Sequence, residues 1–285
     1  MTIDPRTRIG AVRLTVADLD RAAGFYERVV GMRSLRRDGD TALLGTNSSP
    51  VVELVGRPDA PPRKRGTTGL FHTAILVPSR EELGRSLRRV AGARWPLAGA
   101  SDHLVSEALY LEDTEGNGIE IYRDRPREEW RYEHGRLQMA TLPLDLRSML
   151  RKSTDEGEDP PVMSGRTRIG HVHLQVADLA AAEAFYRGIL GFEVTVGDYP
   201  GALFLSAGGY HHHVGLNTWA GEGAPAPEPG AVGLRWFEVV LPHAPELDRI
   251  FERLGDARID VERVDDGVLT ADPSGNAVLL RTAGG

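Results

Sequence analysis

The chain has 285 residues, a formal net charge of −7 and no cysteine. With 41% hydrophobic and 26% charged residues it has the composition of a globular protein, long enough for one large domain or two ordinary ones. The acidic balance argues against nucleic acid or an anionic membrane as main partner, and the lack of cysteine excludes disulfides and thiol nucleophiles, leaving His, Asp and Glu to hold any metal.

The first recognisable unit is "RTRIGAVRLTVADLDRAAGFYERVVG" at 6–31. Its alternating stretch reads as a strand with Val12, Leu14 and Val16 on one face and Ala11, Arg13 and Thr15 on the other. Asp18 is placed to cap a helix whose apolar face carries Leu19, Ala22, Phe25, Tyr26 and Val29, and Gly31 stops it. The segment returns at 166–191 as "RTRIGHVHLQVADLAAAEAFYRGILG", with 15 of 26 positions identical at a constant offset of 160. The chain is thus an internal duplication. Each copy contains a second strand–proline turn–helix unit, "GLFHTAILVPSREELGRSLRRV" at 69–90 and "GLRWFEVVLPHAPELDRIFERL" at 233–254. Both of these close with a hairpin built on a Gly-Asn turn.

The expectation is an α+β fold of four βαβββ modules, at 8–58, 69–126, 168–219 and 232–282. They group into a first half at 6–126 and a second at 166–285, joined by a connecting segment at 127–165. That segment ends in an acidic, Pro/Gly-rich linker whose Asp/Glu run at 155–158 lacks calcium-loop spacing and reads as solvated. A βαβββ module cannot close its own sheet. Two modules together make a cup-shaped, eight-stranded mixed sheet with helices outside, so two such cups are expected.

This architecture resembles the vicinal oxygen chelate superfamily along nearly the whole chain, a family in which metal ligands come from the first and last strands of paired modules. By that resemblance the ligand-type positions are Ala11/Glu53, His72/Glu120, His171/His213 and Trp236/Leu279. His72, Glu120 and His171 supply a 2-His-1-carboxylate set if modules two and three share a cup. Pairing in sequence order would instead give Glu53, His72 and Glu120. The two–three pairing is preferred because it concentrates the histidines, with Glu53 then read as an ion-pair partner of Arg13.

"SDHLVSEALYLEDTEGNGIE" at 101–120 is more specific. It resembles the signature of type I extradiol ring-cleaving dioxygenases, the catechol 2,3-dioxygenase group, through His103, Leu109-Tyr110, Asp113, Gly116 and Glu120. Thr114 departs from the usual proline, and Ser101 stands where small apolar residues, Gly, Asn or Thr are usual. The resemblance implies Fe(II), with Mn(II) as a substitute, held by His72, Glu120 and His171. It implies His103 and Tyr110 as catalytic hydrogen-bonding groups and His213 as the acid–base residue or a further ligand.

"GGYHHHVGLNTW" at 208–219 reads as a strand in which His211 and His213 face the cup and His212 turns away as a structural residue. His211 and His173 are then substrate-binding candidates. The implied reaction is cleavage of a small aromatic diol by O₂, with no nucleic-acid or membrane partner and a possible homo-oligomer. A glyoxalase-type isomerase or an antibiotic-binding protein would use the same fold. No apolar run approaches ~18 residues and the N-terminus lacks a leader pattern, so a cytoplasmic location is expected.

Overall fold

The computed structural model describes residues 2–47, 49–152, 162–264 and 267–283; the acidic run at 155–158 lies outside them. Module one comprises β1 (Arg8–Val16), α1 (Leu19–Phe25), β2 (Arg33–Asp38), β3 (Thr41–Thr46) and β4 (Ser49–Gly56). Module two comprises β5 (Gly69–Leu76), α2 (Arg80–Gly92), β6 (Gly99–Asp102), β7 (Ser106–Glu112) and β8 (Gly118–Asp124). The connecting segment forms β9 (Tyr132–Glu133), β10 (Arg136–Leu137), β11 (Leu142–Pro143) and α3 (Leu146–Lys152). Module three has β12 (Arg168–Gln175), α4 (Leu179–Glu183), β13 (Glu193–Val196), β14 (Ala202–Ser206) and β15 (Val214–Asn217). Module four has β16 (Gly233–Leu241), α5 (Ala244–Asp256), β17 (Glu262–Val264), β18 (Gly267–Ala271) and β19 (Ala277–Thr282).

One sheet runs β17-β18-β19-β16-β1-β4-β3-β2 and the other β11-β6-β7-β8-β5-β12-β15-β14-β13. Modules two and three therefore share a sheet, as do modules four and one. Both sheets are mixed: β5, β12 and β16 run parallel to β8, β15 and β19, while the hairpins are antiparallel. The second sheet has nine strands where eight were expected, because β11 of the connecting segment pairs with β6. Among the described residues no helix is long and apolar enough to cross a membrane.

The helix signals act as expected at both copies. The Asp18 carboxylate accepts from the Arg21 N–H, and that of Asp178 from Ala180 and Ala181. Each short α-helix then widens into a π-helical turn, Tyr26–Val30 and Ala184–Leu190. Gly31 (φ 92°) and Gly191 (φ 93°) end these turns in the left-handed region that only glycine enters without strain.

The chain forms two compact units, residues 1–14, 61–71 and 170–285, and residues 15–60 and 72–169. In the first, the Ile3 N–H donates to the Gly191 carbonyl (2.8 Å); in the second, the Met163 N–H donates to the Gly31 carbonyl (2.8 Å). Donors and acceptors are each 160 residues apart, so the glycine end of each helix binds the leading segment of the other repeat.

Each unit also contains a buried tyrosine–aspartate lock. The Tyr26 hydroxyl donates to Asp113 Oδ2 (3.1 Å), and Asp113 further accepts from the N–H groups of Glu115 and Asn117 and from Asn117 Nδ2. Tyr186 and Asp272 repeat the arrangement at 3.1 Å, with donors from Ser274 and Asn276. The bond ties the helix of one module to the last hairpin turn of the next. Tyr26→Phe should lower stability by about 1.5–3 kcal/mol, the range for a bond to a charged group, and Tyr186→Phe should do likewise, read by denaturant unfolding of the full chain.

Burial raises the pKa of both aspartates above the ordinary 3.8, against the lowering effect of their hydrogen bonds. A raised folded-state value means the folded chain holds the proton more tightly than the unfolded one. The stability this contributes is complete below about 3.8 and is lost as pH rises through the raised value. The stability of the wild type minus that of Asp113→Asn should accordingly decline as pH rises above that point.

Candidate metal and active site

In the unit that holds residues 72–169, Tyr110 and Glu120 are cross-strand neighbours on β7 and β8. His72 lies on the parallel neighbour β5, and its Nε2 is 3.0 Å from Glu120 Oε2. Both side chains are buried. The rings of His72 and Tyr110 are 5.7 Å apart. His103 Nε2 lies 2.7 Å from the Tyr110 hydroxyl, and its Nδ1 lies 2.7 Å from the carbonyl of Ala140. A carbonyl only accepts, so Nδ1 carries a proton; in the neutral ring Nε2 then accepts from Tyr110. The connecting segment thus sets the tautomer of His103, a role nothing in the sequence of residues 138–141 announced.

The other unit places the remaining histidines differently from the strand reading. Residues 210–213 form a bend and β15 begins only at Val214, so alternation does not govern the three rings. His212, expected to turn away, packs against His171 with ring centroids 4.0 Å apart, and against Phe204 at 4.9 Å. His211 Nδ1 is 2.8 Å from His212 Nδ1, and its ring is 6.0 Å from that of His171. His213 lies against Tyr210 (4.9 Å) and Phe192 (6.4 Å), and its Nδ1 accepts from the Ala207 N–H (3.1 Å). His173 is flanked by Phe71, Phe204 and Trp219.

His72, Glu120 and His171 each offer one ligand atom, and these atoms all lie within 4.8 Å of one another. All three residues are buried, and among the described residues this is the one group of three that could hold a metal ion. Glu53 is not part of it. Two imidazoles and a carboxylate with no sulfur form a donor set suited to Fe(II) or Mn(II) that leaves positions for exogenous ligands. The same strand positions of module four lack this chemistry. Trp236 lies under the Arg13 guanidinium, 5.8 Å away, and nearby Glu238 is committed to the Ala11 N–H (2.9 Å) and Arg281 (3.1 Å). His72→Ala, Glu120→Ala and His171→Ala should each lower metal affinity by more than ~10-fold, the low end of what losing an outer hydrogen-bond partner costs, measured by metal titration of the apoprotein.

A family model described as the Glyoxalase/Bleomycin resistance protein/Dioxygenase superfamily matches residues 8–121 and 168–280, and the chain belongs to that superfamily. It is 42% identical over 290 residues, covering 98% of both chains, to a catechol-2,3-dioxygenase of Bacillus subtilis (strain 168). Full-length similarity of this extent makes it a dioxygenase of the superfamily. A solved structure from Bacillus subtilis subsp. subtilis str. 168 shares the fold, with a TM-score of 0.68, 13% identity and coverage of 100% of this chain and 87% of that one. Glyoxalase I from Zea mays shares it with a TM-score of 0.59, 17% identity and coverage of 97% and 92%.

Proposed function

We propose that this chain cleaves the ring of a catechol by an Fe(II)-dependent extradiol reaction with O₂, giving a muconic semialdehyde type of product. Both oxygen atoms enter the product, so no external reductant is required. The observation that carries the reading is the convergence of His72, Glu120 and His171 in a chain 42% identical to a catechol-2,3-dioxygenase. His72, Glu120 and His171 would hold the iron, which would supply the Lewis-acid and redox chemistry that the diol and O₂ require.

The protein's own groups then handle protons and charge. Tyr110, whose hydroxyl donates to His103, lies beside His72, where its oxygen would accept a hydrogen bond from a diol hydroxyl. His103, fixed through Ala140, sets the direction of that hydroxyl proton. In the other unit, the role of proton carrier expected of His213 fits His212 better, since it is His212 whose ring meets His171. His211 orients His212, and His213 supports the bend through Ala207.

Anaerobic purification, an iron assay and addition of catechol with O₂ test the reading: a yellow ring-fission product with matching oxygen consumption is expected. Iron-loaded protein that consumes no oxygen with any catechol would sink it. His212→Gln should reduce kcat by about 10²–10⁴-fold, the usual contribution of general acid–base catalysis, and Tyr110→Phe should reduce it less. His213→Gln should have the smallest effect of the three.

A further inference from the structure

Ring contacts run outward from His171 to solvent within one compact unit. His171 meets His212 at 4.0 Å, His212 meets Phe204 at 4.9 Å, and Phe204 meets His173 at 5.6 Å. His173 in turn meets Phe71 at 5.1 Å and Trp219 at 5.3 Å, and these two are 5.2 Å apart in an edge-to-face pair. Tyr199 flanks the row, 6.4 Å from Trp219 and 5.9 Å from Phe204. The inner members, from His171 to His173, are buried, and the row ends at Phe71 (38% exposed) and Trp219 (47%).

Trp219 is exposed yet held in place. Its indole N–H donates to the Pro200 carbonyl (3.2 Å) and its backbone N–H to Asn217 Oδ1 (3.0 Å). Gly201 (φ 66°) allows the close approach, because a Cβ there would lie 3.2 Å from the indole nitrogen. Fixed exposed aromatic surface is what a binding face requires, since little rotamer freedom remains to be lost on binding. The duplication shows that the fold does not need these rings. At the equivalent positions of the other modules, Asp59 matches Trp219, Leu44 matches Phe204 and Arg235 matches Phe71.

We propose that Phe71, Trp219 and Tyr199 bind an uncharged, apolar substituent of the aromatic diol, so that the preferred substrates are aryl- or alkyl-substituted catechols rather than catechol itself. This rests on the ring-cleavage reading above. A carboxylate substituent is disfavoured because the nearby guanidinium, that of Arg63, is already engaged by Thr67, the Leu70 carbonyl and Gln175.

The test compares kcat/KM for catechol, a phenyl-substituted catechol and a carboxymethyl-substituted catechol on the iron-loaded full chain. The phenyl compound should exceed both others by ~10-fold or more, within the range for apolar pocket contacts. Trp219→Ala and Phe71→Ala should each cut the phenyl-to-catechol ratio by at least ~5-fold, mainly through KM. Tyr132→Ala, an exposed aromatic of the other unit, should leave that ratio unchanged. An unaltered ratio in both row variants, or preference for the carboxymethyl compound, overturns the proposal.

A separate readout needs no metal. Titrating the apoprotein with the phenyl-substituted catechol should quench tryptophan emission in the wild type and much less in Trp219→Phe. Equal quenching in both overturns the binding face. Absence of oxygen uptake with every catechol, alongside Trp219-dependent quenching, would reject the reaction and retain the binding face.

Discussion

The unsatisfied edge of the first strand in each βαβββ module governs this structure. A strand edge carries a row of backbone donors and acceptors that must be paired, and a single module cannot pair its own. β5 and β12 are neighbours in one sheet and β1 and β16 in the other. The ligand-bearing residues His72 and His171 lie on β5 and β12. These two strands are adjacent in the sheet order, while Trp236 and Glu238 fill the corresponding strand of module four with packing and structural hydrogen bonds.

Buried carboxylates do two kinds of work here. Asp113 and Asp272 each face a tyrosine hydroxyl, two backbone N–H groups and an asparagine amide, a donor set that completes them as structural joints. Glu120 faces an imidazole nitrogen at 3.0 Å and belongs to a group of three candidate ligand atoms that lie within 4.8 Å of one another. Charge burial is tolerated in the first case by hydrogen bonds, and in the second it suits a cation. In the sequence the two kinds look alike, since Asp113 and Glu120 belong to the same 20-residue motif.

Much of the fold was legible because it rests on local rules repeated twice. The constant offset of 160 exposed the duplication, and the Asp18 and Asp178 caps and the Gly31 and Gly191 stops follow from backbone geometry. The grouping of His72, Glu120 and His171, expected from the resemblance, lies at positions where alternation applies because each sits inside a regular strand. Alternation failed at the histidine run for the same reason in reverse: residues 210–213 form a bend, so successive side chains need not oppose one another. The tyrosine–aspartate locks have no local signature, because Tyr26 and Tyr186 fit an apolar helix face and their hydroxyls find partners 86–87 residues away.

The sequence by itself determined the four modules, their internal order, the helix ends, and the residue types able to bind a metal. These depend on periodicity, capping and chemistry, all of which are local. Tertiary structure alone decided which modules share a sheet, that β11 extends one of them, that Ala140 fixes the tautomer of His103, and that His212 rather than His213 lies against His171. Each of these is a long-range contact or a loop conformation, for which adjacency in the chain carries no geometric information.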